Sequence, residues 1–141
     1  MATTGRKRML IVDDDEANLI GLESRFETLG YDTTTAWDGR EALKALRAED
    51  FDVVLLDDFL PEAPSEAILR AIRELPVQPW VALLRTRPSP GEPTHERRRE
   101  AADCSASKRS IGAIVDSIQE CLAHTGSLAV RDFQGLAAPR A

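Results

Sequence analysis

Two groups of aspartates, each following an apolar run, are the residues best suited to chemistry in this chain. Residues 9–12 lead into Asp13, Asp14 and Asp15, and residues 51–56 lead into Asp57 and Asp58. Such runs are typical of buried parallel strands, and in an open α/β sheet ligands bind beyond the carboxyl ends of the strands. Carboxylates crowded there repel one another, and Mg²⁺ is the cellular cation that suits such oxygen ligands. The sequence therefore predicts an acidic magnesium pocket.

Alternating strands and helices must position that pocket. Apolar residues at helical spacing predict helices after Asp15, from about Ala42, after Ser65 and from Ile111, with Asp15 and Ser65 as N-caps. The predicted strands are residues 9–12, 31–36, 52–56, 80–84 and, assigned mainly from the order of elements, 104–107. Parallel neighbours require crossover helices, so this order predicts a doubly wound α/β domain.

A proline-rich segment interrupts the pattern before the fourth helix. Pro88, Pro90, Gly91 and Pro93 exclude regular helix there, so helix resumes only at about residues 94–102. We therefore expect an irregular segment followed by a shortened fourth helix. The expected domain limits are an N-terminal extension at 1–7, one domain at 8–124, and a tail or linker at 125–141.

Composition excludes several classes of protein. The formal net charge of −6 argues against general binding to nucleic acid or to a membrane surface, because either requires a concentrated basic face. Cys104 and Cys121 lack a metal-ligand spacing and are predicted to be buried thiols in a reducing compartment. The sequence contains no apolar run long enough for a membrane span, so we expect a cytoplasmic location.

Three motifs in chain order resemble those of the response-regulator receiver domain of two-component signalling, of the chemotaxis-regulator type. They are Asp13-Asp14 after the first strand, Asp57 with Pro61 four residues on, and Lys108 after the fifth strand. The resemblance extends over about residues 8 to 123. It implies a flavodoxin-like (βα)₅ fold with strand order 2-1-3-4-5, and an aspartate that accepts a phosphoryl group from a histidine kinase.

The resemblance also implies a role for each site residue. Asp57 is expected to be the phosphoryl acceptor and a ligand of Mg²⁺. Asp14 would bind the ion directly, the backbone carbonyl of Phe59 would be a third ligand, and Asp13 would act through water and as a partner of Lys108. Lys108 would neutralise a phosphoryl oxygen as a compact positive charge.

The residue at the end of the fourth strand is open between two positions. Receiver domains carry Ser or Thr there, where the hydroxyl follows the phosphoryl oxygen. Counting forward from Pro79 selects Leu84, whereas counting back 22 residues from Lys108 selects Thr86. We favour Thr86, because its interval from Asp57 also fits. Leu84 and Thr86 have the same strand parity, so facing does not separate them.

Other positions depart from the receiver pattern. Ser105 replaces an aromatic residue, Arg109 replaces a proline that normally follows a cis peptide bond, and Ser65 replaces a glycine. Asp58 is a second acceptor candidate, but the spacing to the proline favours Asp57, and Asp58 is expected to be a solvated loop carboxylate. These departures fall on the rim of the pocket and on the output side.

Three functions remain open at this point. The first is a phosphorylatable receiver, with chemistry limited to its own phosphorylation and dephosphorylation rather than turnover of a metabolite. Its partners would be a histidine kinase or phosphotransfer protein and a downstream protein bound between the fourth and fifth helices, with a homodimer as a further arrangement. The second is a pseudo-receiver adaptor that works without phosphate. The third is a small Mg²⁺-dependent phosphohydrolase of haloacid-dehalogenase type, suggested by Asp13 and Asp15.

Overall fold

A computed structural model of the protein describes residues 5–58, 60, 65–85, 103–107 and 110–124. Within these residues strands and helices alternate. The strands are β1 (Arg8–Val12), β2 (Asp32–Ala36), β3 (Val53–Asp57), β4 (Trp80–Arg85) and β5 (Cys104–Ser107). The helices are α1 (Glu16–Thr28), α2 (Gly39–Ala48), α3 (Ser65–Arg73) and the final helix α4 (Ile111–His124).

The strands form one parallel sheet in the order β2-β1-β3-β4-β5. The predicted α/β architecture, a parallel sheet with helices packed on it, is confirmed. In the central strands the register pairs Val12 with Leu56, so β1 and β3 end side by side. The predicted proline-rich segment and shortened fourth helix lie outside the described residues.

Alternate side chains of the three central strands, β1, β3 and β4, enter two separate cores, one on each face of the sheet. Met9 and Ile11 of β1 pack under α1 and α4, whereas Leu10 and Val12 pack under α2 and α3. All four are fully buried. A strand that is covered on both faces has no polar side, which explains why β1 and β3 are continuous apolar runs in the sequence.

Helices α1 and α4 approach each other closely at Gly21. A Cβ atom at this position would lie 2.9 Å from Cγ1 of Ile111. The absence of a side chain at Gly21 therefore lets the first and last helices share one face of the sheet.

Two aspartates that each precede a strand fix the start of that strand against its neighbour. The Asp52 carboxylate accepts a hydrogen bond of 2.8 Å from the Arg8 N–H, and the Asp52 N–H donates to the Arg8 carbonyl, also at 2.8 Å. Asp103 makes the same pair of bonds with Val81, at 2.7 and 2.8 Å. These paired bonds set the registers of β3 on β1 and of β5 on β4.

One sequence prediction about the cysteines is wrong. Cys121, on α4, is disulfide-bonded and is not a thiol. The error arose because residue spacing does not reveal that α4 packs back on the sheet. Among the described helices, none combines the length and apolar character needed to cross a bilayer.

Candidate acidic site

Three carboxylates from two neighbouring strands converge at the carboxyl edge of the sheet. Asp13 and Asp14 follow β1, and Asp57 is the last residue of β3. One oxygen atom from each residue lies within 4.8 Å of the others. The structure therefore brings together the three acidic side chains that the sequence pattern predicted to be close.

Asp13 is fixed by the start of α1. Its side chain is fully buried, and its carboxylate accepts bonds from the Asp15 N–H at 2.9 Å and from the Asn18 side-chain amide at 3.5 Å. Asp15 is the N-cap of α1, as predicted, since its carboxylate accepts from the N–H groups of Ala17 and Asn18. Asp15 thus serves the helix, whereas Asp13 faces the site.

Asp57 is 1% exposed, and its backbone is bound to the start of α3. The Ser65 hydroxyl donates a hydrogen bond of 2.6 Å to the Asp57 carbonyl oxygen. Ser65 is 2% exposed and is the first helical residue of α3, so it lies inside the helix and is not the N-cap that the sequence predicted. Local sequence signals a cap at this position, but it does not show that the hydroxyl reaches β3 across the intervening loop.

Asp58 and Leu84 lie beside the acceptor candidate. Asp58 is 7% exposed, so the expectation of a solvated loop carboxylate is wrong. Its N–H donates a bond of 2.8 Å to the Leu84 carbonyl, which continues the β3–β4 ladder past the end of β3 and keeps Asp58 inside. Leu84 is fully buried and pairs in register with Asp57, so the two side chains share one face of the sheet.

Several residues of the predicted site fall outside the described part of the chain. They are Phe59, Pro61, Thr86, Lys108 and Arg109. The backbone of Ser105 lies in β5, paired with Leu83.

The three carboxylates fit a hard divalent cation. Two like charges 4.8 Å apart repel by about 3 kcal/mol at an effective dielectric constant of about 20, so the cluster favours a cation between its members. Two oxygens on one octahedral Mg²⁺ lie about 3 to 4 Å apart, given Mg–O distances of about 2.1 Å. Because Asp14 is exposed, one side of the site is open to solvent and can admit an ion with its waters.

Comparison with known proteins decides the family. A model of the response regulator receiver domain matches residues 9–103. The chain belongs to the response regulator receiver family. This receiver domain is therefore a two-component signalling module, and its family comprises signalling proteins rather than classical enzymes.

Curated relatives of the receiver domain are regulators of transcription. It is 38% identical to the alkaline phosphatase synthesis transcriptional regulatory protein PhoP of Bacillus subtilis over 68 residues. These aligned residues make up 48% of this chain and 28% of PhoP. Over 122 residues it is 28% identical to the transcriptional regulatory protein PrrA of Mycobacterium tuberculosis, 86% of this chain and 52% of PrrA. The chain thus spans about half or less of the length of these relatives.

Solved receiver structures share the fold of this receiver domain. A CheY-like receiver domain protein from Methanospirillum hungatei superposes with a TM-score of 0.71 at 27% identity, covering 84% of this chain and 95% of that one. The BeF3-activated receiver domain of DrrB, from Thermotoga maritima, gives a TM-score of 0.69 at 27% identity, with 84% and 98% covered.

Proposed function

We propose that this receiver domain accepts a phosphoryl group from a histidine kinase or a phosphotransfer protein on Asp57, and signals through changed protein contacts. The observation that carries this proposal is the convergence of a buried strand-end aspartate, Asp57, with Asp13 and Asp14 within 4.8 Å. A carboxylate in such a cluster can be brought next to a phosphoryl donor once its charge is balanced.

Asp57 is favoured over Asp58 as the acceptor by its place in the fold. The two side chains follow one another at the end of β3, and alternation along a strand directs them to opposite faces. The cluster among the described residues contains Asp57 together with Asp13 and Asp14. The hydrolase alternative needs Asp13 and Asp15 to act together, but the Asp15 carboxylate caps α1.

The proposed reaction is a simple transfer. An oxygen of the Asp57 carboxylate attacks the phosphorus of a phosphohistidine, forming an O–P bond. The N–P bond of the donor breaks, and its electron pair returns to the imidazole. Water later attacks the same phosphorus, which releases inorganic phosphate and restores the carboxylate.

Residues around Asp57 prepare it for this transfer. Asp14, which is exposed, and Asp57 would hold Mg²⁺ together with the Phe59 backbone carbonyl, while Asp13 acts through water. When bound, the ion supplies charge neutralisation for the incoming phosphoryl group. Asp13 is held by α1 and keeps a fixed negative charge beside the site. We assign Lys108 the role of compensating a phosphoryl oxygen.

The residue that senses the phosphoryl group at the end of β4 is either Leu84 or Thr86. The pairing of Leu84 with Asp57 favours Leu84 as the neighbour of the acceptor, whereas the interval to Lys108 favours Thr86. Replacing each one separately with Ala tests the assignment. Only the true neighbour should alter the lifetime of the aspartyl phosphate.

The proposed function also requires a domain boundary, a cellular location and an output surface. We take residues 8–124 as the receiver domain, in the cytoplasm where phosphorylated kinases occur. The output surface would lie between the predicted fourth helix, 94–102, and α4, binding a downstream protein or a second copy of the chain. Nucleic acid and membrane are not proposed as partners of this domain, given the net charge of −6 of the whole chain.

Intact-protein mass after incubation with acetyl phosphate and Mg²⁺ tests the proposed function. We expect the gain of one phosphoryl group in the wild type and in Asp58→Asn, and no gain in Asp57→Asn or after addition of EDTA. Gain in Asp57→Asn with none in Asp58→Asn would move the acceptor to Asp58. The absence of any gain in folded wild-type protein would contradict the proposal.

A further inference from the structure

The peptide group that joins Asp57 to Asp58 is held at both of its polar atoms. Its carbonyl oxygen accepts the 2.6 Å bond from the Ser65 hydroxyl, and its N–H donates the 2.8 Å bond to the Leu84 carbonyl. Ser65 and Asp57 are 2% and 1% exposed, so water does not compete for the hydroxyl bond. A peptide plane fixed at both ends cannot rotate without losing one of the two bonds.

That restraint acts on the direction of the Asp57 side chain. The β3 ladder fixes the backbone before Asp57, and the two bonds fix the peptide plane after it. With both sides fixed, the bond from Cα to Cβ has one direction, which aims the carboxylate at Asp13 and Asp14. The Ser65 hydroxyl supplies the part of this restraint that comes from α3.

We propose that Ser65 is a positioning residue for the acceptor carboxylate, acting through the backbone of Asp57. This inference rests on the proposed function, in which Asp57 receives the phosphoryl group. Misplacing a reacting group by about 1 Å can lower a rate by up to about a hundredfold, so a lost restraint on Asp57 should be visible in its phosphorylation rate. The sequence did not predict this role, because a serine at the start of a predicted helix is an ordinary N-cap signal.

The test compares variants at Ser65 with a control that weakens a helix elsewhere. Ser65→Ala removes the hydroxyl, and Ser65→Thr retains it. Asp38→Ala is the control, because Asp38 caps α2 by accepting a 2.8 Å bond from the Glu41 N–H and lies outside the acidic cluster. For each protein the measurements are the rate of aspartyl phosphate formation from acetyl phosphate, and Mg²⁺ affinity by calorimetry.

We expect Ser65→Ala to be phosphorylated about tenfold more slowly than the wild type, with weaker Mg²⁺ binding. Ser65→Thr should restore the rate, and Asp38→Ala should keep it despite lower stability. A phosphorylation rate of Ser65→Ala equal to that of the wild type would overturn the inference. So would a loss in Asp38→Ala as large as that in Ser65→Ala, since the effect would then follow stability alone.

The two proposals can fail separately. If wild-type protein gains no phosphoryl group on Asp57, the proposed function is wrong, and the Mg²⁺ affinities of wild type and Ser65→Ala still measure the alignment of the cluster. If Ser65→Thr does not fold, the comparison of Ser65→Ala with Asp38→Ala decides the matter. Phosphorylation of the wild type with an unchanged rate in Ser65→Ala would reject only the role of Ser65.

Discussion

Replacing Asp14 with Asn should stabilise the metal-free protein, because it removes one charge from the acidic cluster. Asp14 is exposed, and a carboxylate oxygen of it lies within 4.8 Å of oxygens of Asp13 and Asp57. Asp13 is its neighbour in sequence, so that repulsion exists in the unfolded chain as well. The repulsion that folding creates is the one between Asp14 and Asp57.

The size of this effect follows from the distance. Two unit charges 4.8 Å apart repel by about 1 kcal/mol in bulk water and about 3 kcal/mol at an effective dielectric constant of about 20. Asp14 is exposed, so the lower figure applies best, and we expect the free energy of unfolding to rise by about 1 kcal/mol. With a urea m-value of about 2 kcal/mol/M, the midpoint should rise by about 0.5 M.

The assay is urea unfolding followed by far-UV circular dichroism, first in EDTA and then in Mg²⁺. The matched control is Asp50→Asn, which removes one exposed carboxylate outside the cluster. In EDTA, Asp14→Asn should have a higher urea midpoint than both the wild type and Asp50→Asn. High salt should reduce this difference, because it screens the repulsion between the carboxylates. Addition of Mg²⁺ should raise the urea midpoint of the wild type more than that of Asp14→Asn, because the wild type retains all three carboxylates.

Two results would refute this reasoning. One is an Asp14→Asn protein no more stable in EDTA than Asp50→Asn, which would mean that the cluster carries no repulsion for folding to overcome. The other is an equal gain from Mg²⁺ in the wild type and in Asp14→Asn, which would show that the ion binds elsewhere.

Three further changes test the packing around the sheet. Gly21→Ala puts a Cβ 2.9 Å from Cγ1 of Ile111, an atom of a β-branched side chain that is stiff about χ1, so α1 and α4 must shift and thermal unfolding should show a loss of about 1 to 3 kcal/mol. A stability equal to or above that of the wild type would show that the two helices separate at no cost. Burial, and then the charge of Asp52, raise the pKa of Tyr31, so the folded state keeps the phenol proton after the unfolded chain has lost it. The free energy of unfolding should therefore fall as pH rises above about 10, and Tyr31→Phe should reduce that fall in urea unfolding measured across this range. An equal fall in the wild type and in Tyr31→Phe would show that Tyr31 is not its cause. Trp80 is 1% exposed, and within the described part of the chain its indole N–H has no hydrogen-bond partner. Trp80→Phe removes that donor, so it should lower the free energy of unfolding by less than the roughly 3 to 5 kcal/mol of a typical Trp→Ala change. A loss of that size in urea unfolding would show that the indole N–H makes a hydrogen bond in the folded protein.

The sequence alone determined the parts of the site that depend on local pattern. Apolar runs that end in aspartates specify buried parallel strands with acidic ends, and parallel strands bring those ends to one edge of the sheet. That is why the closeness of Asp13, Asp14 and Asp57 could be predicted. Asp15 could be recognised as an N-cap for the same reason, because a cap bonds within a few residues of itself.

Tertiary structure alone decided which groups surround the acceptor. Whether the Ser65 hydroxyl bonds its own helix or the backbone of Asp57 depends on how α3 sits against β3, and Asp58 is buried because its N–H continues the ladder to β4. The position of Leu84 beside Asp57 depends on the register of β4 on β3. Counting residues from Pro79 or from Lys108 does not give this register, because the two counts disagree. These contacts join residues that are distant in the chain, so their geometry follows from packing and cannot be read from spacing.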